Sequence, residues 1–268
     1  MNYERIESRD GNIYWIEQGD TLYSGRLQHG QYQKSNWLFA QTLIPQYRRC
    51  LDIGSNNACN AIHYAQQFEW VECFEPVQTT QELWRRTIQD NQVQNVTLHT
   101  LAVSDRVRDT EMYLHPKNGG HNHICHDEYN PRTRGSTKQT QTVSTTTIDE
   151  YDFEDVDFVK IDVEGHEWFV LQGAQNMIQH NRPVLQLEIV ANQCRKFNYG
   201  AETMIDWIRG LDYRCVSKRD GWLDGEFDSK GKRILYNGVE RRGDMDLFFV
   251  PCEHNTQLSP KFELFNFG

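Results

Sequence analysis

Two acidic residues and one glycine lie at the ends of two neighbouring strand-like stretches. The first stretch, 49–53, contains Asp52 and runs directly into the turn Gly54-Ser55-Asn56, and the second ends at Glu75. In an open α/β sheet, ligands bind outside the carboxyl ends of such strands, beside the following helix. Gly54 permits a tight turn and a close approach to a ligand. We interpret this edge as a ligand site; an ordinary strand-to-helix turn is the alternative.

The residue types at this edge discriminate between two nucleotide ligands. Glu75 can accept both hydroxyls of a ribose, which suits NAD and S-adenosylmethionine (SAM) alike. A dinucleotide requires a glycine-rich G-x-G-x-x-G loop against its pyrophosphate, whereas Gly54 is the only glycine between Asp52 and Phe68. SAM has no phosphate and carries a sulfonium and an ammonium group. The acidic loop with one glycine therefore favours SAM over NAD.

Alternating strand and helix patterns place these residues at one edge of a sheet. Helix-like segments follow the first two strands at 57–68 and 79–91, and another follows residue 163. The predicted strands are 49–54, 70–76, 96–103, 156–162, 183–189, 213–217 and 247–250. This alternation predicts an α/β fold with a parallel, doubly wound sheet. We expect an additional strand at 108–114. After the polar stretch that follows it, a regular secondary-structure pattern resumes at 143–148.

The ends of the chain look like additions to one domain. Residues 1–45 alternate aromatic runs with turn signals and are predicted to form an N-terminal cap segment. Residues 46–268 form the main domain, with no linker or internal repeat. Asp220-Gly221, Asp224-Gly225 and Asn237-Gly238 mark turns between the last two strands, which predicts a β-rich C-terminal insertion.

An ordered set of motifs resembles the FkbM-type methyltransferases. Its core is Lys160-Ile161-Asp162-Val163-Glu164-Gly165, within the run 156–174, and further matches cover 51–56, 74–76, 101–105 and 183–188. The resemblance spans roughly residues 48–190. It implies a class I, Rossmann-like fold with a seven-stranded, mostly parallel sheet, one antiparallel strand near its end and helices on both faces. It also implies SAM as the cofactor and O-methylation of hydroxyls on sugars, glycans or small molecules.

The same resemblance assigns the cofactor contacts. Glu75 would bind the ribose, and Ala102 and Val103 would lie beside the adenine. The remaining implied contacts are Asp52, Gly54, Ser55 and Asn56. One residue departs from the family pattern: Ala58 stands where the family usually has a second glycine. In a helical conformation Ala58 costs little, but a tighter approach to the cofactor could weaken binding.

A second group of titratable residues follows the fourth core strand. Methyl transfer is an in-line displacement that requires an aligned nucleophile, and a hydroxyl acceptor gains from a nearby base. Asp162 is predicted to orient the cofactor or acceptor, and His166 or Glu164 to act as the base. Alternatively, Glu164 and Gly165 only cap the next helix. Glu188, at the end of strand five, is a candidate for acceptor binding or for structural hydrogen bonding.

The polar stretch 116–141 reads as a long loop that covers the substrate. His121 and His123 are expected to contact the substrate. A zinc ion needs three or four converging ligands, and such close spacing in a loop rarely supplies them, so no metal is expected. Four basic residues could meet an anionic acceptor or be solvated: Lys117, Arg132, Arg134 and Lys138.

Composition restricts the class of acceptor and the compartment. The net charge of -10, from 38 acidic against 28 basic residues, disfavours a nucleic-acid partner. The seven cysteines contain no CxxC pair, and a polar N-terminus lacks a signal-like apolar core. No apolar run approaches the length of a membrane span. A cytoplasmic enzyme with a small-molecule or carbohydrate acceptor is therefore expected, with nucleic-acid methylation or a catalytically silent binding protein as alternatives.

Overall fold

The computed structural model describes residues 2–20, 23–30, 32–116, 118–125, 139–218, 221–222 and 245–254. Its strands are β1 (Tyr3–Glu7), β2 (Ile13–Glu17), β3 (Arg49–Ile53), β4 (Trp70–Phe74), β5 (Val96–His99), β6 (Ala102–Val103), β7 (Arg108–Leu114), β8 (His123–Ile124), β9 (Gln139–Thr146), β10 (Val156–Ile161), β11 (Val184–Ile189), β12 (Tyr213–Ser217), β13 (Gly221–Trp222) and β14 (Met245–Pro251). Its α-helices are α1 (Ser24–Gln28), α2 (Lys34–Ala40), α3 (Ala61–Ala65), α4 (Gln78–Asp90), α5 (Glu167–Gln172), α6 (Gln175–Asn181), α7 (Ala191–Lys196) and α8 (Ala201–Arg209). Short 3-10 helices cover Gly119–His121 and Ile148–Tyr151.

The central sheet has the strand order β13-β12-β14-β11-β10-β3-β4-β5. Strands β11, β10, β3, β4 and β5 run parallel to one another, whereas β14 is antiparallel to both β11 and β12. The α/β sheet is thus mixed, and within the described part of the chain it has eight strands rather than the predicted seven. The extra strand arises because the chain turns back after β12, so that β13 pairs antiparallel with it at the sheet edge. Within the predicted C-terminal insertion, residues 223–244 lie outside the described residues.

A second, four-stranded sheet has the order β6-β9-β7-β8. The predicted strand 96–103 is therefore two strands: β5 belongs to the central sheet, and β6 leaves it to pair with β9. The prediction of a continuous loop over 116–141 is also wrong at both of its described ends. His123–Ile124 pairs with β7, where Ile124 lies opposite Met112 and is buried, and β9 begins at Gln139.

Helices cover both faces of the central sheet. Alternation along each strand sends successive side chains to opposite faces: Cys50 of β3 joins one hydrophobic cluster, and Leu51 joins the other. The first cluster includes residues of α2, α3 and α4, and the second includes residues of α5 to α8. The N-terminal residues pack on the first face, where Trp15 of β2 donates from its backbone N to Thr87 Oγ1 of α4 at 3.0 Å. The division at residues 45 and 46 stays a prediction.

Within the described part of the chain, no helix combines the length and the apolar character needed to cross a membrane.

Candidate active site

The turn after β3 ties together the carboxyl ends of three strands. The backbone N atoms of Gly54 and Ser55 each lie 3.1 Å from Phe74 O of β4, and Asp162 N donates to Ile53 O at 3.1 Å. Gly54 has φ +84°, and a Cβ there would lie 1.9 Å from the carbonyl oxygen of Asp162. The backbone that follows β10 therefore leaves no room for a side chain at residue 54. This requirement for glycine adds to the one expected from the close approach of a ligand.

Glu75 presents an oriented carboxylate at this edge. Its Oε2 accepts the backbone N–H of Asn56 at 3.1 Å, and its Oε1 accepts that of Val77 at 2.9 Å. Burial raises the pKa of Glu75 to about 7, against the opposing effect of the two backbone hydrogen bonds. Each oxygen keeps a second lone pair, so both remain able to accept a ribose hydroxyl.

A cleft with about 560 Å³ of empty space opens beside Glu75. Its lining includes apolar residues of the second sheet, namely Ala102 and Val103 of β6, Met112 of β7 and Ile124 of β8, together with Gly54 and Asn56. An apolar slot next to a hydrogen-bonding carboxylate fits an adenosine group. Sequence reasoning identified Ala102 and Val103 but missed Met112 and Ile124, because their strands belong to the unexpected second sheet.

A second, polar cavity adjoins this cleft. Gly54, Asn56, Gly120, Asp162 and Glu164 line both, so they form a shared boundary. The second cavity, with about 1300 Å³ of empty space, also reaches the side chains at the ends of β11 and β14 and the N-terminal segment. We call the first the cofactor cleft and the second the acceptor cavity.

Residues from the N-terminal segment close one side of the acceptor cavity. Gln33 Nε2 donates to Asp162 Oδ2 at 3.4 Å, and its Oε1 accepts from Asn60 Nδ2 at 3.0 Å. Asn36 of α2 donates to Asp246 of β14, and Asn56 Nδ2 donates to Tyr23 Oη at 3.2 Å. These partners lie far apart in sequence, and no local pattern marked Gln33 or Asn36.

A buried polar row crosses three strands beneath the acceptor cavity. Lys160 of β10 pairs in register with Asp52 of β3 and Gln186 of β11, so their side chains share one face. Lys160 Nζ lies 3.0 Å from Asp162 Oδ2 and 3.9 Å from Asp52 Oδ1. Burial alone would lower the pKa of Lys160, but Asp162 and Asp52 raise it overall. A lysine inside the apolar strand 156–161 was the signal that sequence reasoning overlooked.

Asp52 lies below the two cavities and is fully buried. Desolvation raises its pKa to about 6, although Lys160 acts in the opposite direction. Among the described residues, neither carboxylate oxygen of Asp52 has a hydrogen-bond partner. The predicted contacts Ser55 and Asn56 reach the acceptor cavity, and Asn56 reaches the cofactor cleft as well. Asp52 therefore places a negative charge next to Lys160, but it does not line either cavity.

Three carboxylates meet at the boundary of the acceptor cavity. Asp162, Glu164 and Glu188 each offer an oxygen within 4.8 Å of the others. The charge of Asp162 raises the pKa of Glu188 to about 10, and burial with Asp162 raises that of Glu164 to about 8. Such a group is of the type that surrounds a divalent cation. Here the positive charge beside it is the ammonium of Lys160.

Glu167 holds the loop that carries Glu164. Glu167 Oε1 accepts the backbone N–H groups of Val163 and Gly165, both at 3.1 Å. The loop has positive φ at Glu164 (58°) and Gly165 (104°). The alternative that Glu164 caps the next helix is wrong, because Glu164 accepts from Gln193 of α7 instead. Glu167 thus fixes where Glu164 lies, a role that the sequence did not reveal.

The three predicted histidines lie in different surroundings. His166 lines the cofactor cleft and is 1% exposed; its Nε2 lies 3.0 Å from Ser104 Oγ, and its ring stacks on Phe169. His121 lines the acceptor cavity. His123 lies on β8 with Nδ1 3.0 Å from His121 O, outside the described lining of either cavity. The basic residues at 117, 132, 134 and 138 lie outside the described residues.

Ala58 adopts a left-handed conformation. Its φ is 68°, and α3 begins only at Ala61, so the expectation of a helical Ala58 is wrong. The residue is fully buried, and its N–H donates to Ser55 O at 3.0 Å. An alanine here bears the strain that a glycine would avoid.

Comparisons with known proteins identify the family of this chain. Residues 52–215 match the model of the methyltransferase FkbM domain, whereas a search of curated proteins found no match. Among solved structures, a methyltransferase FkbM from Methylobacillus flagellatus KT aligns with 18% identity and a TM-score of 0.45 over 76% of this chain and 43% of that chain. A SAM-dependent O-methyltransferase from Thermotoga maritima aligns with 12% identity and a TM-score of 0.45, over 92% of this chain and 77% of that chain. Precorrin-6y C5,15-methyltransferase from Geobacter metallireducens GS-15 aligns with 11% identity and a TM-score of 0.45, over 88% of this chain and 93% of that chain.

The solved structures are too distant to support an argument about this site. The family model is decisive because it spans more than half of the 268 residues and includes Asp52, Glu75, Asp162 and Glu188. This chain belongs to the FkbM-domain methyltransferases.

Proposed function

We propose that this protein transfers the methyl group of SAM to a hydroxyl of a sugar, a glycan or another small, hydroxyl-rich acceptor. The observation that carries the proposal is the shared boundary of the two cavities. Asp162 and Glu164 line both the cofactor cleft and the acceptor cavity. A donor in one cavity and an acceptor in the other would meet at these residues, as an in-line displacement requires.

The cofactor cleft supplies the groups that SAM needs. Glu75 would accept the ribose hydroxyls, and Ala102, Val103 and Met112 would contact the adenine. Gly54 and Asn56 would lie along the methionine part, with Ser55 reaching it from the acceptor cavity, and Asp52 and Asp162 would offset its positive charge. When bound, SAM supplies a methyl group activated by its sulfonium. The buried acids make this part of the protein more suitable for a cationic cofactor than for a pyrophosphate.

The acceptor cavity is suited to a molecule with several hydroxyls. Its described lining includes carboxylates, amides and tyrosine hydroxyls, which can donate or accept hydrogen bonds to a sugar. Asp162 and Glu188 would bind and orient the acceptor, with His121 also in the lining and His123 in contact with His121. Of the two candidate bases, Glu164 lies at the shared boundary and His166 in the cofactor cleft. The net charge of -10 disfavours nucleic acid, whose backbone needs basic side chains.

The chemistry of the cysteines supports a reducing compartment such as the cytoplasm. All seven lie within the described part of the chain and none of them forms a disulfide there; five are fully or nearly fully buried: Cys50, Cys59, Cys73, Cys194 and Cys215. Buried free thiols behave as small hydrophobic side chains.

The proposal is tested with methyl-labelled SAM and a panel of sugars, oligosaccharides and small alcohols. We expect label in the ether fraction of at least one acceptor, and its loss in Asp162→Asn and Glu164→Gln variants that still bind SAM. A Glu69→Gln variant on the exposed surface serves as the matched control. Unchanged turnover in both site variants, or SAM binding with no transfer to any hydroxyl, would contradict the proposal.

A further inference from the structure

The carboxylate cluster contains more negative charge than its single close cation can neutralise. Asp162, Glu164 and Glu188 come from the ends of two adjacent parallel strands and the loop between β10 and α5, which brings their oxygens within 4.8 Å of one another. Lys160 Nζ contacts Asp162 at 3.0 Å. Carboxylates this close and partly buried do not all ionise at neutral pH. The cluster must therefore retain protons at neutral pH, and one of them is held most firmly.

The surroundings place that proton on Glu188. Asp162 is stabilised as an anion, because Lys160 and Gln33 donate to it. Glu188 instead faces acidic groups from every side: Asp162 and Glu164 after β10, Asp246 on β14, and Glu167 on α5. Repulsion by Asp162 and burial raise the pKa of Glu188 to about 10, whereas Lys160 holds that of Asp162 below its usual value despite burial.

The other charged and titratable groups of the acceptor cavity do not relieve this repulsion. Lys218 donates to Ser35 Oγ at 2.6 Å and to Asn36 Oδ1 at 2.8 Å. Burial raises the pKa of Tyr23 and Tyr32 and lowers that of His121, so all three are neutral. Arg26 is the remaining described cation of the lining.

We propose that Asp162 and Glu188 share one proton in the free protein, that SAM binding expels it, and that Glu188 then accepts the proton of the acceptor hydroxyl. The inference rests on the proposed function and names the base for it. Methyl transfer requires the sulfonium to reach the boundary lined by Asp162 and Glu164, which brings a positive charge beside the cluster. A nearby positive charge favours the ionised form of a carboxylate.

The reaction then balances without any further reagent. The acceptor O–H proton moves to a carboxylate oxygen of Glu188 as the acceptor oxygen bonds to the methyl carbon. The C–S bond breaks, its electron pair stays on sulfur, and the sulfonium becomes a neutral thioether. With the positive charge gone, the cluster again holds one proton, which is the state of the free protein. Each arriving SAM would release the proton collected in the previous turnover.

Calorimetry in buffers of different ionisation enthalpy counts the protons released on binding. SAM is compared with S-adenosylhomocysteine (SAH), which has the same groups without the sulfonium charge, at pH 9, above the pKa of Glu164 and below that of Glu188. The α-amino group common to both ligands titrates near this pH, and its contribution cancels in the difference. We expect the wild-type protein to release about one proton more with SAM than with SAH. Equal proton release for the two ligands would overturn the proposal.

Two variants assign the released proton. Glu188→Gln removes the group that holds it, and Asp162→Asn removes the charge that keeps it there, so both should lose the extra release; Glu69→Gln should retain it. Glu188→Gln should also lower methyl transfer by roughly 10²- to 10⁴-fold while it still binds SAM. Persistent proton release in Glu188→Gln contradicts the assignment. Absence of SAM binding to wild type would instead refute the proposed function, and the inference with it.

Discussion

The carbonyl oxygen of Asp162 occupies the space that a side chain at Gly54 would need: a Cβ at residue 54 would lie 1.9 Å from that oxygen. The turn that borders the cofactor cleft and the loop that carries the carboxylate cluster are therefore in direct backbone contact. Because both loops line the boundary between the two cavities, a change at either residue shifts the donor side and the acceptor side of the site together.

Gly54→Ala tests this contact against a matched control. Gly11 also has φ +84°, but no atom lies within 4 Å of a Cβ placed there. Gly11→Ala should lower the free energy of unfolding by only about 1–2 kcal/mol, from the left-handed backbone. Gly54→Ala adds an overlap and should cost roughly 2–5 kcal/mol. Urea denaturation measures both; equal losses would show that the contact with Asp162 is not tight.

Lys160→Met should destabilise the protein by about 3–5 kcal/mol, because it leaves buried carboxylates without their cation. Lys160 is 2% exposed and lies between Asp162 and Asp52. The double variant Lys160→Met/Asp162→Asn should recover part of that loss, since it also removes one of the unpaired charges. Chemical denaturation at pH 8 gives the comparison. A double variant less stable than Lys160→Met would contradict the pairing of Lys160 with Asp162.

The pH dependence of stability should reveal the proton on Glu188. Its pKa is raised from 4.5 to about 10, so between these values the native state holds a proton that the unfolded chain has released. Below pH 4.5 Glu188 is protonated in both the native and the unfolded state, so it does not lower the free energy of unfolding. As the pH rises above 4.5, the free energy of unfolding falls by up to about 1.4 kcal/mol per pH unit. Wild type should therefore lose stability more steeply than Glu188→Gln between pH 5 and 9. Chemical denaturation at each pH gives the free energy of unfolding of both proteins. If the two plots against pH run parallel, Glu188 does not hold the proton.

Gln33→Ala should weaken acceptor binding more than cofactor binding. Gln33 contacts Asp162 and Asn60 on the acceptor side and is not among the described residues that line the cofactor cleft. We expect a several-fold rise in KM for the acceptor with a nearly unchanged Kd for SAM. Steady-state kinetics and calorimetry separate the two. Gln18→Ala, a change of a polar residue elsewhere in the N-terminal segment, is the control. An equal rise in acceptor KM in both variants would contradict the role of Gln33 in acceptor binding.

Much of the cofactor side could be predicted from the sequence because its signals are local. Gly54 has the positive φ of a tight turn, Glu75 follows a buried strand, and both were recognised from residue type and position. Strand alternation also predicts which residues share a face of the sheet. The eighth strand was not predicted, since β13 has two residues and no pattern of that length is distinctive.

The acceptor side depends on contacts that one sequence does not display. Asp162 meets Gln33 and Glu188 only after the strands assemble, and Glu167, rather than Glu164, turns back to hold its own loop. The left-handed Ala58 was misjudged because alanine normally avoids that conformation. Lys160 could have been recognised: a charged residue inside a buried strand requires a buried counter-charge nearby.

Calorimetric titration of SAM into wild type and into Glu75→Ala tests the central claim that the cleft beside Glu75 is a SAM site. We predict saturable binding at one equivalent for wild type. Loss of the charged hydrogen-bond acceptor should weaken the affinity of Glu75→Ala by about ten-fold or more, since such bonds contribute roughly 1.5–3 kcal/mol. Failure of wild type to bind SAM, or equal affinity in Glu75→Ala, would contradict the account.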